Sequence, residues 1–195
     1  MTTITRTYDP TKIYTADEAW RLRGEGRWEL INGHIVEIGE ARMDNDWTGD
    51  EHAGIEHNFS LELGIYLREH KSGKARAGEA GIYIQRNPDI VRGADVLYIS
   101  NKRYAQKKSE GALDVAPELI IEIMSPNDRW SEVTEKLREY FSIGVQLVWV
   151  ADPKSRSVFA YRSLTDVREF ASEDEITGDE VLPGFKAKVA TFFED

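Results

Sequence analysis

Cysteine is absent from this chain, which excludes a disulfide framework and any thiolate metal site and makes a reducing, cytoplasmic setting the expectation. Long apolar runs are also missing. None approaches the roughly 20 residues of a membrane span, so no membrane partner is expected. Residues 1–10 are polar and lack the apolar core of a signal peptide. Positive charge is short as well: 25 Lys and Arg face 35 Asp and Glu, a net charge of −10. That balance argues against sequence-independent nucleic-acid binding by the whole surface and leaves only local patches. Two such clusters stand in expected loops, Lys102, Arg103, Lys107 and Lys108, and Arg68, Lys71, Lys74 and Arg76. Charged loops of this kind are most often simply solvated. No Gly-rich phosphate loop is present, which weakens the case for an enzyme acting on a small phosphorylated molecule.

What is present describes one α/β (α+β) domain over 1–195, with 1–13 as an extended tail. Thr15-Ala16-Asp17-Glu18 has the pattern of a capping box opening a short helix that carries Ala19, Trp20 and Leu22 inward and stops at Gly24. Asn32-Gly33 between two alternating apolar segments predicts a hairpin with a type I′ turn. An exposed acidic loop is expected over 39–51, bearing Asp44, Asp46, Asp50 and Glu51. Ile55, Phe59, Leu63 and Tyr66 recur at helical spacing and predict a helix over 52–70, its apolar face widened by Leu61, Ile65 and Leu67. Strands are expected at 81–85, 96–99 and 119–124, a helix over 131–142 closed by Gly144, then strands at 145–150 and 157–161. The tail, with Leu182-Pro183-Gly184-Phe185 and 189–193, should pack back on the body.

The chemistry centres on a carboxylate inside the most apolar strand. In Leu119-Ile120-Ile121-Glu122-Ile123-Met124, Glu122 is surrounded by hydrocarbon, where a charge is costly unless paired. Asp95 opens the preceding strand. Lys136 lies three residues after Val133 and four before Tyr140, on or beside the apolar stripe of its helix. Two acids on neighbouring strands and an inward lysine suit metal-assisted phosphoester hydrolysis, because Mg²⁺ takes oxygen ligands and retains water. Plainer roles compete at each position: a turn cap for Asp95, a half-exposed sheet face for Glu122, and a pair with Glu132 for Lys136. Glu29 and His57 are second-tier candidates: exposed alternation on a hairpin strand is the more plausible role for Glu29, and a satisfied core or interface histidine for His57. His34, His52 and His70 lack the company of a zinc site.

The segment Pro117 through Pro126, then Lys136, Tyr140, Gly144-Val145 and Val148-Trp149-Val150-Ala151-Asp152-Pro153, resembles the signature of the Uma family of bacterial restriction-endonuclease-like proteins. Arg27-Trp28-Glu29-Leu30-Ile31-Asn32-Gly33, His57, Ala94-Asp95-Val96-Leu97-Tyr98-Ile99-Ser100 and Leu182-Pro183-Gly184-Phe185 extend the resemblance over nearly the whole chain. It implies a restriction-endonuclease-like fold, a central mixed sheet flanked by helices with an N-terminal hairpin. It also implies a PD-(D/E)xK type site: Asp95 and Glu122 as catalytic, metal-binding acids for Mg²⁺ or Mn²⁺, Lys136 as the catalytic lysine, and DNA as the substrate of an endonuclease. Met124 stands where many such nucleases keep lysine, so activity would rest on Lys136, and Ala94 replaces the usual proline. The alternative is a catalytically inactive nuclease fold serving as a binding module. A homodimer is expected, since nucleases that cut both strands commonly pair, and Trp47 and Trp130 are candidate interface aromatics.

Overall fold

The structure, a computed structural model, describes residues 8–22, 27–38, 49–126 and 128–194. Its first element is a short helix, α1 (Ala16–Leu22), closed at its start by the capping box: the Thr15 N–H donates to Glu18 at 2.9 Å and the Glu18 N–H to Thr15 Oγ1 at 3.3 Å. Residues 8–13 are not an extended tail. They turn, because the Asp9 carboxylate accepts both the N–H and the hydroxyl of Thr11. Strands β1 (Arg27–Ile31) and β2 (His34–Ile38) form the hairpin, with Asn32 and Gly33 both at positive φ as a type I′ turn requires. Of the acidic loop, 39–48 and Trp47 with it lie outside the described residues. Asp50 and Glu51 instead begin helix α2 (Asp50–His70), where acids complement the positive end of the helix.

Helix α2 leads into β3 (Gly73–Gln85), a strand of 13 residues where only 81–85 was expected, and β3 pairs along the whole of β4 (Ile90–Ser100). Lys74 and Arg76 therefore sit on a strand, over the ring of Tyr104 in the short helix α3 (Asn101–Tyr104). The order continues with β5 (Leu119–Ile123), α4 (Trp130–Ser142), β6 (Leu147–Asp152), β7 (Ser157–Tyr161) and β8 (Val167–Phe170). These strands make one eight-stranded sheet, antiparallel except for the β5–β6 pair that α4 connects. A two-stranded sheet of β9 (Glu175–Gly178) and β10 (Leu182–Lys188) and a closing 3-10 helix (Val189–Phe193) complete the chain.

The two faces of the sheet hold separate cores. Ile55, Phe59, Leu63 and Tyr66 of α2 pack on Val96, Tyr98, Ile121 and Trp149, together with Phe185 and Phe192 of the tail. On the opposite face Val133, Leu137 and Tyr140 of α4 pack on Leu97, Ile120, Val148 and Val150. Leu61 and Ile65 do not widen the buried face of α2; they are exposed, as is Trp20 on α1. Trp20 lies over Gly111, in the segment that precedes Leu119.

The two edges of β4 are paired differently. Its β3 edge is paired along its length but for bulges in β3 between Ala77 and Ala80, opposite Asp95, and between Tyr83 and Gln85, whereas its other edge is shared: β1 pairs at Val91 and β5 only from Val96 to Tyr98. Between them residues 92–95 face a fork. Backbone groups left without a ladder partner must be satisfied some other way. Here side chains do it. The Gly93 N–H donates to Glu29 at 3.2 Å, and the Ile123 N–H donates to Asp95 at 2.7 Å.

Candidate active site

Glu122 is the one partly exposed residue of β5, whose other positions are buried. It points to the α4 side with Ile120, and α4 meets it with two donors one turn apart. Lys136 Nζ donates to Glu122 Oε2 at 2.7 Å and the Tyr140 hydroxyl to Oε1 at 2.7 Å. The placement of Lys136 beside the buried stripe of Val133, Leu137 and Tyr140 makes this reach possible. Lys136 does not pair with Glu132, whose carboxylate instead caps the start of α4 at the Arg129 N–H. A cavity of about 10 Å³, lined by Glu122, Lys136, Tyr140 and three apolar side chains, lies against the pair.

Asp95 is buried within β4, at the fork, and caps no turn. Its Oδ2 accepts the Ile123 N–H, and Oδ1 lies 3.4 Å from His52 Nε2. Burial pushes its carboxyl upward, but the hydrogen bond and charge of His52, with the Ile123 N–H, outweigh burial and hold it below the usual aspartate range. Glu122 behaves oppositely. Burial raises it, the charge of Asp95 adds to the rise, Lys136 and Tyr140 pull against both, and it settles at about 7. Burial disfavours the Lys136 ammonium, yet the carboxylates of Glu122 and Glu29 more than compensate and raise it above an ordinary lysine.

Glu29 joins this neighbourhood from β1. Its side chain is only 6% exposed, Oε2 is 2.7 Å from Arg92 and Oε1 is 3.9 Å from Lys136 Nζ. It is a buried residue of a charged network, and the alternation that suggested an exposed hairpin face does not hold for it. Arg92 also grips Glu139 of α4 through two nitrogens, at 2.6 and 3.0 Å. Sequence reading passed over Arg92, because a single arginine in a strand carries no periodic signal.

His57 is exposed on α2 and stands apart from the acids, whereas His52 reaches Asp95. The periodicity of α2 contained this information. His52 is three residues before Ile55 and seven before Phe59, on the buried stripe, and His57 falls between them on another face.

Asp95 and Glu122, on neighbouring strands, form a donor set suited to Mg²⁺ or Mn²⁺. Each oxygen that accepts a protein donor keeps a further lone pair. Among the described residues no three His, Asp or Glu side chains converge as a metal cage, so an ion here would rest on these two carboxylates, water and substrate. Again among the described residues, no helix is long and apolar enough to cross a membrane.

A solved structure, "a putative nuclease belonging to DUF820" from Anabaena variabilis, superposes with a TM-score of 0.73 over 92% of this chain and 97% of that one, at 20% identity. At that identity the likeness is one of fold, a nuclease-like sheet flanked by helices. No curated protein is significantly similar in sequence. The family model described as "Putative restriction endonuclease" matches residues 16–190, and by that match the chain belongs to the Uma2 family.

Proposed function

We propose that this protein is a divalent-metal-dependent endonuclease that hydrolyses phosphodiester bonds of DNA at Asp95, Glu122 and Lys136. The observation that carries the reading is the reach of Lys136 from α4 to Glu122 on β5, in the electrostatic neighbourhood of Asp95. A Mg²⁺ or Mn²⁺ ion, when bound, supplies Lewis-acid polarisation of the phosphate and a more acidic water. Asp95 and Glu122 would hold it, and its positive charge would favour the ionised form of Glu122. Lys136, partly exposed at 29%, has the charge and reach to steady the developing negative charge on phosphate. Tyr140 orients Glu122 from its other oxygen. Cutting both strands would call for two copies of the site, which light scattering in solution tests.

The test is cleavage of a panel of DNA and RNA substrates with Mg²⁺ or Mn²⁺ by the wild type and Glu122→Ala. Metal-dependent cleavage by the wild type alone supports the reading. No cleavage by the wild type, or equal cleavage by both, overturns it. One observation favours a binding module instead: both Glu122 oxygens already accept donors from α4. Calorimetric titration with Mn²⁺ separates the two, since the module predicts no heat of binding.

A further inference from the structure

A cleft of about 1250 Å³ opens beside the site, and its lining includes Trp20, Trp28, Tyr83, Arg21, Arg86 and Lys108. It adjoins the elements that carry the site, without including Asp95, Glu122 or Lys136 in its lining. Its wall includes Gly93, two residues before Asp95, and Glu56, one helical turn beyond His52. We infer that this cleft binds an unpaired segment of nucleic acid, stacking its bases on Trp20 and on the Arg86–Tyr83 pair while the strand leads toward Asp95. The inference rests on the endonuclease reading for its direction and names the form of substrate that site would take.

The surfaces suit bases. Trp20 is 44% exposed with its ring laid over Gly111, so the indole is held at the cleft wall. The Arg86 guanidinium lies 3.4 Å from the centroid of the Tyr83 ring and is half exposed, a planar cation backed by an aromatic. Aromatic and guanidinium planes accept any base without reading sequence. The volume exceeds the about 300–1,000 Å³ typical of a site for one small ligand, which favours a chain segment.

The charges argue against a duplex. Five acids line the cleft against three cations, so two phosphate backbones would enter an unfavourable field. Two of the acids are committed internally: Glu56 accepts the Gly78 N–H, and Asp114 accepts the Lys108 and Ser109 N–H groups. Arg21 and Lys108 are exposed and can meet one backbone, while Arg86, 3.9 Å from Asp89 and stacked on Tyr83, serves as a platform.

The experiment is fluorescence anisotropy of a labelled oligothymidylate and a blunt duplex of equal length, with EDTA present so that nothing is cut. We expect the single strand to bind at least about tenfold more tightly. Trp20→Ala and Arg86→Ala should each weaken it by about tenfold, the scale of one stacked base. Trp20→Phe should restore most of the affinity, and circular dichroism confirms that each variant folds. Equal affinity for both forms, or variants that bind the single strand like the wild type, overturns the inference. Strand binding without metal-dependent cleavage would sink the endonuclease reading alone; metal-dependent cleavage of duplex without strand preference would sink this one alone.

Discussion

Two charged clusters meet at the fork in β4, and they differ in how completely they are closed. In the first, Arg92 spends its guanidinium on Glu29 and Glu139, with Glu135 at 3.8 Å, and its side chain is 8% exposed. Three carboxylates around one buried fork of donors form a clamp between β1, β4 and α4. The second cluster, Asp95, Glu122, Lys136 and His52, is looser. Asp95 and Glu122 are pushed to opposite sides of the ordinary carboxylate range, and Lys136 is 29% exposed. Groups of one chemistry whose environments drive their proton affinities apart are a feature of sites that act. The clamp ties β1, β4 and α4 together at the fork, and its neighbour borders a cavity of about 10 Å³ beside Glu122 and Lys136. Among the described residues they come together where Glu29 lies 3.9 Å from Lys136.

The sharpest way to break this contrast is to remove one member of each cluster. Glu122→Ala should lower metal-dependent cleavage by about 10³-fold, roughly 4 kcal/mol of barrier, measured under single-turnover conditions. Arg92→Met should instead lower stability by about 3–5 kcal/mol, read from urea unfolding, because it strands buried carboxylates. Equal losses of stability in both variants would erase the distinction.

A third comparison uses pH. The folded Glu122 carboxyl titrates near 7 against 4.5 for the ordinary group, so the native state holds an extra proton between those values. Stability should therefore fall as pH rises through that window, by on the order of 2–3 kcal/mol, and Glu122→Gln should abolish the fall in the unfolding profile. Asp95 carries the opposite sign: its lowered carboxyl stabilises the fold above its ordinary titration range and loses that contribution on acidification. The same proton competes with a metal, so Mn²⁺ affinity measured by calorimetry should rise from about pH 6 to 8.

Smaller effects sharpen the boundary of the open cluster. Tyr140→Phe removes one donor to Glu122 and should cost about 1 kcal/mol. It should also raise the Glu122 titration further, since Tyr140 pulls it down. His57→Ala should leave both stability and cleavage nearly unchanged, within about 0.5 kcal/mol. His52→Ala should release Asp95 toward a higher titration, which carbonyl NMR of that residue would read.

Much of this was legible from local pattern. The Asn32-Gly33 turn, the capping box at Thr15 and the stripe of α4 follow from backbone preference and side-chain period, which act over a few residues. Glu122 was conspicuous because a carboxylate in an aliphatic strand demands partners, and Lys136 because it sat beside the buried stripe. The misreadings share a cause. His57 was favoured over His52, Glu29 was read as more plausibly exposed, and β3 was expected at less than half its length; each depended on which distant segment lies opposite. The added length of β3 is rich in small and charged residues, and only its pairing with β4 makes it a strand.

Sequence alone thus determined the elements, the faces they bury and the residue types that needed company, because those properties are encoded within one or two turns of chain. Tertiary structure alone decided which partners arrived. Glu29 meets Arg92 across 63 positions and Ile123 meets Asp95 across 28, and such encounters are set by the fork where β1 and β5 part along β4. No local preference specifies a fork; it exists only once two strands compete for one edge of a third.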